Sequence, residues 1–331
     1  MDLRIQTQIN PVADEVSAVT AVVRPILLGV LYALKAGVAA ELGGHGNIKL
    51  FMLPRLYRPG DGDCGICFEY AVHDAVLRGE PGVLDRVTSA LSVHCNVPGH
   101  DPTSILFGAE KTGAQQIIDT AAGLLTPDSL LMYGTRGRPV KLKTHLNLVA
   151  AAFRRPTART DLPLSIRDLW KADLFLGYGD TDKWVGTSVK INPNQLEAAR
   201  GLRVGIVPAL EGDPDLPALH EAKNLVVCPL PYDGSFMEVF YRGWGVVQQF
   251  MKADAQLPGE VFLPRPADRQ VARYLADRRE FSVMDVLAAL EPLAQPHLLN
   301  SDEKAAQLSP AGAQAGPLEA TALVAPVPKT I

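Results

Sequence analysis

Ala172-Asp173-Leu174-Phe175-Leu176, then Gly177-Tyr178-Gly179-Asp180-Thr181-Asp182-Lys183, then Trp184-Val185-Gly186-Thr187-Ser188-Val189-Lys190-Ile191: this stretch decides the fold. Two β-rich apolar runs around a Gly/Asp-rich turn predict a hairpin. Asp173 opens the first run and Lys190 lies at the end of the second. The two side chains are therefore expected together at one end of a sheet. A carboxylate there can hold a divalent cation, and a lysine can orient water and neutralise developing charge, the requirements of a metal-assisted phosphodiester cut.

Downstream, Asn194 to Arg200 predicts a short helix stopped by Gly201. Leu202 to Val207 predicts a strand closed by Pro208. An acidic, Pro-rich loop over 211–218 leads to a second buried strand, Asn224 to Cys228, and a long helix, Phe236 to Met251. From about 170 to 251 the order is β-β-α-β-β-α. Upstream, a helix over 12–43 ends at Gly43-Gly44, and Pro54 breaks an apolar run over 48–58. Cys67 to Arg78 forms a helix with Phe68, Val72, Ala75 and Val76 on one face. Further helices are expected over 83–93, 113–125 and 142–153, with a loop over 95–110. The fold class is α/β, a central mixed β-sheet flanked by helices. The expected organisation is an N-terminal helical segment (1–60), an α/β core (61–255) with a helical insertion around 80–165, a small helical appendage (256–300) and a disordered tail (301–331).

The chain has 331 residues, is 47% hydrophobic and 21% charged, and carries a net charge of −4, so it is globular and not a polycation. A polyanionic partner would need a local patch. One exists between Asp128 and Asp161, where no acidic residue occurs and Arg136, Arg138, Lys141, Lys143, Arg154, Arg155 and Arg159 stand with His145. Unopposed cations at this density can contact several phosphates, and equally can form a solvated helix face. The N-terminus lacks the apolar core of a signal peptide, so a cytoplasmic, reduced protein is expected. The stretch from Pro25 to Leu42 is too interrupted by charge to span a bilayer and predicts a buried amphipathic helix.

Three places resemble the PD-(D/E)xK, restriction-endonuclease-like superfamily, over roughly residues 66–251. Cys67-Phe68-Glu69-Tyr70-Ala71-Val72-His73 resembles its first core helix with an inward glutamate. Ala172 to Leu176 resembles the strand that bears its metal-binding aspartate. Ser188-Val189-Lys190 stands in the place of (D/E)-x-K, with Ser188 at the acidic position, where a hydroxyl binds a hydrated cation only weakly. The resemblance implies a restriction-endonuclease-like core with helical additions at both ends. It implies Glu69 and Asp173 as ligands of Mg²⁺ (or Mn²⁺), the Val189 carbonyl as a further ligand, and Lys190 with Ser188 in the catalytic group. Gln195 matches a site glutamine of some relatives. The implied activity is metal-dependent nuclease action on nucleic acid, DNA before RNA, with no membrane partner and a homodimer left open.

Two other chemistries compete at the same helix. Cys64-Gly65-Ile66-Cys67-Phe68 resembles the papain-type nucleophile signature, with Cys67 as nucleophile and His145 or His220 as base. Cys64 and Cys67, with Cys95 and His94 or His100, offer four ligands for a structural Zn²⁺. Inert buried cysteines are the plainer reading. A third alternative is a catalytically inactive nucleic-acid-binding protein, with Ser188 marking lost activity. Trp170, Trp184 and Trp244 are expected in the core or at an interface, and His73, four residues from Glu69 on the same helix face, is placed either to hold that carboxylate or merely to cap the packing. His94, His100 and Asp101 could approach the site. The pair of helices near 268–290 reads as a packing appendage or a small helix-turn-helix.

Overall fold

The computed structural model describes residues 11–57, 64–107, 123–132, 139–209, 216–232 and 236–294. Its helices are α1 (Pro11–Ala33), α2 (Ala36–Glu41), α3 (Leu53–Leu56), α4 (Cys64–Arg78), α5 (Pro81–Ser89), α6 (Leu142–Arg154), α7 (Phe236–Lys252), α8 (Pro266–Asp277) and α9 (Val283–Leu290). Its strands are β1 (Pro102–Leu106), β2 (Leu130–Met132), β3 (Val140–Lys141), β4 (Leu174–Tyr178), β5 (Thr181–Val189), β6 (Leu202–Pro208), β7 (Ala218–His220) and β8 (Leu225–Leu230). The eight strands form one mixed, open sheet in the order β1-β4-β5-β6-β8-β7, with β2 beside β5 and β3 beside β2.

The hairpin organises this sheet. β4 and β5 run antiparallel, with Leu174 opposite Thr187 and a register slip between Gly177 and Tyr178. Glycine is needed at the slip, because a Cβ on Gly177 would come within 2.6 Å of the Lys183 carbonyl oxygen. β5 is long enough to serve two parallel neighbours on one flank: Lys183–Val185 pair with β2, and Gly186–Val189 pair with β6. β6 in turn pairs in parallel with β8, and β1 pairs antiparallel with β4.

The pleat splits the core in two. Leu174, Leu176, Val185, Val189, Ile206 and Cys228 face a cluster that includes α1, α4 and α7. Ile105, Phe175, Trp184, Val207 and Leu225 face the other, which includes α6. The fully buried Phe68 of α4 meets Phe240 of α7 edge to face at 5.2 Å. Each such side chain contributes about 1.5–3 kcal/mol by leaving water. This clamp fixes α4 over the sheet.

Several elements differ from the sequence expectation. The 12–43 helix ends at Ala33, because Lys35 is extended (ψ 136°), and restarts as α2. The loop expected over 95–110 contains β1, whose residues Thr103 to Leu106 are apolar or hydroxyl-bearing and pair with β4. The helix expected over Asn194 to Arg200 is only a 3₁₀ turn, Pro193–Gln195, in which the Asn192 side chain accepts from the Asn194 N–H. That local bond competes with the helical backbone in a segment too short to nucleate a helix. The region expected as a helical insertion also supplies β1, β2 and β3 to the sheet. Most of the helix expected over 113–125, and the whole tail over 301–331, lie outside the described residues. α8 and α9 bury Val271, Leu275, Val283, Val286 and Leu290 in the cluster shared with α1. Asp14–Ala33 is long and apolar enough to cross a membrane, but 83% of its apolar window is buried within the fold.

Beside α1 and α4 sits a buried acidic residue, Glu80, 3% exposed, with Asp74 and Arg78 nearby on α4. Burial pushes the Glu80 carboxyl up to about 7, against a smaller lowering by the Gly82 backbone. Burial likewise raises Asp74 to about 6, opposed by Arg24. A folded-state value above the unfolded one means that the stabilising contribution is present at low pH. It is lost as pH rises through the folded value. Glu80→Gln is therefore expected to gain stability relative to wild type as pH rises from 5 to 8, by about 1–3 kcal/mol. Urea denaturation midpoints at both pH values check this, and parallel pH profiles for the two proteins would refute it.

Candidate active site

The backbone of Asp173 is fixed before its side chain is considered. Its N–H donates to the Thr187 carbonyl of β5 at 2.9 Å, and its carbonyl accepts from the Phe107 N–H, just past β1, at 2.9 Å. The residue is thus clipped between two strands at the open start of β4. Its carboxylate is 0% exposed. Oδ2 accepts from the Val189 N–H at 2.9 Å, from Ser188 Oγ at 3.1 Å and from Lys190 Nζ at 2.7 Å. The last is a charge-assisted bond of the stronger class. In the pleat, a residue's N–H and C=O leave the strand on the same side, so the Val189 carbonyl is also directed at the edge that Asp173 occupies.

Glu69 comes to the same point from the helix layer. It lies on α4, is 5% exposed, and its Oε1 is 3.6 Å from Lys190 Nζ. The distance marks an ion pair and not a hydrogen bond. Lys190 retains 26% side-chain exposure, so the cluster opens to solvent on the ammonium side. Removing charges from water costs several kcal/mol per ion, so two buried carboxylates drawn to one ammonium form a costly arrangement. Such arrangements concentrate at functional sites.

The cluster also sits where open α/β sheets bind ligands, outside the carboxyl ends of parallel strands. Lys190 directly follows β5, and its N–H donates to the Ile206 carbonyl of β6 at 3.0 Å. On the outer rim, Lys171 holds Glu197 at 2.9 Å. That bond, with the charges of Lys171 and Lys190, keeps the Glu197 carboxyl below the usual range.

Glu69, Asp173, Ser188, Val189 and Lys190 are therefore brought together. The donors offered to a cation are all oxygens, two of them carboxylates, which suits a hard divalent ion such as Mg²⁺ or Mn²⁺. Ser188 binds Asp173 and does not stand as an independent acid. Gln195 is exposed on its 3₁₀ turn.

Other expectations fail here. His73 does not hold Glu69: its Nδ1 is 3.0 Å from Ser104 Oγ, and burial lowers its pKa to about 4, so the ring is neutral at pH 7. His100 and Asp101 precede β1 at Pro102, opposite Tyr178, at the far end of the sheet, and His94 bonds to the Pro217 carbonyl. Cys67 is 0% exposed, and its thiol donates to the Ile26 carbonyl of α1 at 3.6 Å. A nucleophile needs access and a base. His145 belongs to α6, in the other core layer, and His220 to the edge strand β7. Among the described residues, Cys64, Cys67, Cys95, His94 and His100 are not grouped around a common point. Among the described residues no three His, Cys, Asp or Glu side chains are grouped for a metal ion.

The basic segment is only partly described, since Arg136 and Arg138 lie outside the described residues. Arg159 stacks its guanidinium 3.7 Å from the Trp170 ring centre and donates to the Ala152 carbonyl. Lys143 donates to the Leu125 carbonyl, and Lys141 is 4.0 Å from Asp128. Arg154 and Arg155 are exposed at the end of α6. Trp170 lies in the 3₁₀ turn Leu169–Lys171 that delivers the chain to Asp173, which joins this basic corner to the site.

Comparison with protein-family models, curated proteins and solved structures finds no match to this chain.

Proposed function

We propose that the protein is a metal-dependent nuclease with a restriction-endonuclease-like core, acting on DNA. The observation that carries this reading is the meeting of Glu69, Asp173 and Lys190, from a helix and two strands, at the carboxyl end of β5. These are the three places at which the sequence resembles the PD-(D/E)xK superfamily.

Glu69 and Asp173 would hold Mg²⁺, with the Val189 carbonyl as a further oxygen donor. When bound, the ion supplies Lewis-acid polarisation of a phosphate oxygen. The protein does the rest. Asp173 fixes the Lys190 ammonium at 2.7 Å. Lys190 then holds the attacking water and offsets the negative charge that gathers on the phosphoryl oxygens. Hydrolysis joins the water oxygen to phosphorus, breaks the bond to one sugar oxygen and protonates that oxygen. Arg154 and Arg155 grip the phosphate backbone, while Arg159 braces Trp170 beside the site.

The test is incubation of the full chain with supercoiled plasmid in Mg²⁺ or Mn²⁺, with and without EDTA. Metal-dependent nicking or linearisation is expected. Cutting that persists in EDTA would overturn the metal mechanism. Binding without cutting would favour the inactive nucleic-acid-binding protein that Ser188 suggests, with affinity falling steeply as salt rises.

A further inference from the structure

We infer that Tyr232 and Tyr241 form a stacking platform for an unpaired nucleobase next to the proposed cutting site, so that the enzyme prefers DNA with single-stranded character. The inference rests on the nuclease reading above. Tyr232 follows β8 by two residues and is 51% exposed, and Tyr241 lies on α7 and is 37% exposed. Their rings are 5.8 Å apart and only 9° from parallel, and the Tyr232 hydroxyl donates to that of Tyr241 at 3.1 Å. One ring stacked on another and pinned by a hydroxyl bond is a preoriented flat surface. An exposed apolar ring usually finds cover, and a π-face accepts any base without reading its edge.

Two observations connect the pair to the site. Tyr232 leaves the carboxyl end of β8, which runs parallel to β6, as β6 does to β5 ahead of Lys190. With strands about 4.8 Å apart and about 3.3 Å of rise per residue, Tyr232 falls on the order of 10–15 Å from Lys190. That is within a few nucleotides of a bound phosphate. On the helix layer, Phe68 adjoins Glu69 in sequence, packs on Phe240 at 5.2 Å, and Phe240 packs on Tyr241 at 5.5 Å. The platform and the carboxylate therefore share one rigid aromatic line. A base held there must be out of its pair, which favours single strands, frayed ends or flaps over intact duplex.

The test is binding of a single-stranded oligonucleotide carrying 2-aminopurine, and of the matching duplex, to the full chain in EDTA. Wild type and Tyr232→Phe are expected to quench the probe and to favour the single strand. Tyr232→Ala is expected to lose the quenching and about 10- to 100-fold of single-strand affinity, with duplex affinity unchanged. Equal quenching and affinity in Tyr232→Ala, with plasmid still cut by wild type, would overturn the platform and leave the nuclease reading intact. A wild type that stacks the probe through Tyr232 but cuts nothing keeps the platform and removes the catalysis. A wild type that neither binds nor cuts removes both.

Discussion

Lys190→Ala is expected to slow Mg²⁺-dependent DNA cleavage by about 10²–10³-fold, the scale seen when one preorganised donor to a developing oxyanion is deleted. The Lys190 ammonium reaches both buried carboxylates, 2.7 Å from Asp173 and 3.6 Å from Glu69. It faces solvent enough to meet water, yet it is held by a carboxylate whose backbone is clipped between β1 and β5. Single-turnover cleavage under saturating enzyme would read the chemical step. DNA affinity in EDTA should stay within a few-fold of wild type, because one rim charge among several contributes little to backbone binding. An unchanged cleavage rate would remove Lys190 from the mechanism. A fall in affinity equal to the fall in rate would make it a phosphate-binding group instead.

Asp173→Ala is expected to cost about 3–5 kcal/mol of folding stability and to abolish cleavage. The carboxylate is 0% exposed and serves three donors with one oxygen, Val189 N–H, Ser188 Oγ and Lys190 Nζ. Alanine leaves all three without that acceptor and leaves a space between β4 and β5. Asp173→Asn keeps an acceptor for the Val189 N–H and should lose less stability, while losing as much cleavage. Urea denaturation followed by circular dichroism gives the comparison. Equal midpoints for wild type and Asp173→Ala would show that this hydrogen-bonded knot does not hold the sheet edge.

The site was legible where its determinants were local. The apolar runs around Gly179-Asp180 spell out a hairpin, and the pairing of Asp173 with Lys190 follows from its length alone. Glu69 was reachable only through the resemblance, because α4 is apolar on most of its surface and nothing in its spacing singles out that carboxylate. The reading failed where tertiary contacts decide. Pro98, Gly99, His100 and Asp101 masked the start of β1, although Ile105-Leu106-Phe107 is a strand-like run that could have been read. Pro193 and the Asn192 side chain turned an expected helix into a 3₁₀ turn. Cys67 looked reactive at a helix start. Its burial comes from Gly29 of α1, where a Cβ would stand 3.0 Å from the Cys67 Cα, a contact between residues far apart in the chain. Tyr232 and Tyr241 stand only nine residues apart, but nothing in their local spacing marks them as a stacked pair.

Mn²⁺ binding followed by electron paramagnetic resonance, in wild type and in Glu69→Gln, reads the cation site itself. One tight site is expected in wild type, weakened at least tenfold by a neutral amide at residue 69, because a hard cation then loses one of two carboxylates. Identical Mn²⁺ titrations for the two proteins, or no bound Mn²⁺ in wild type, would contradict this expectation.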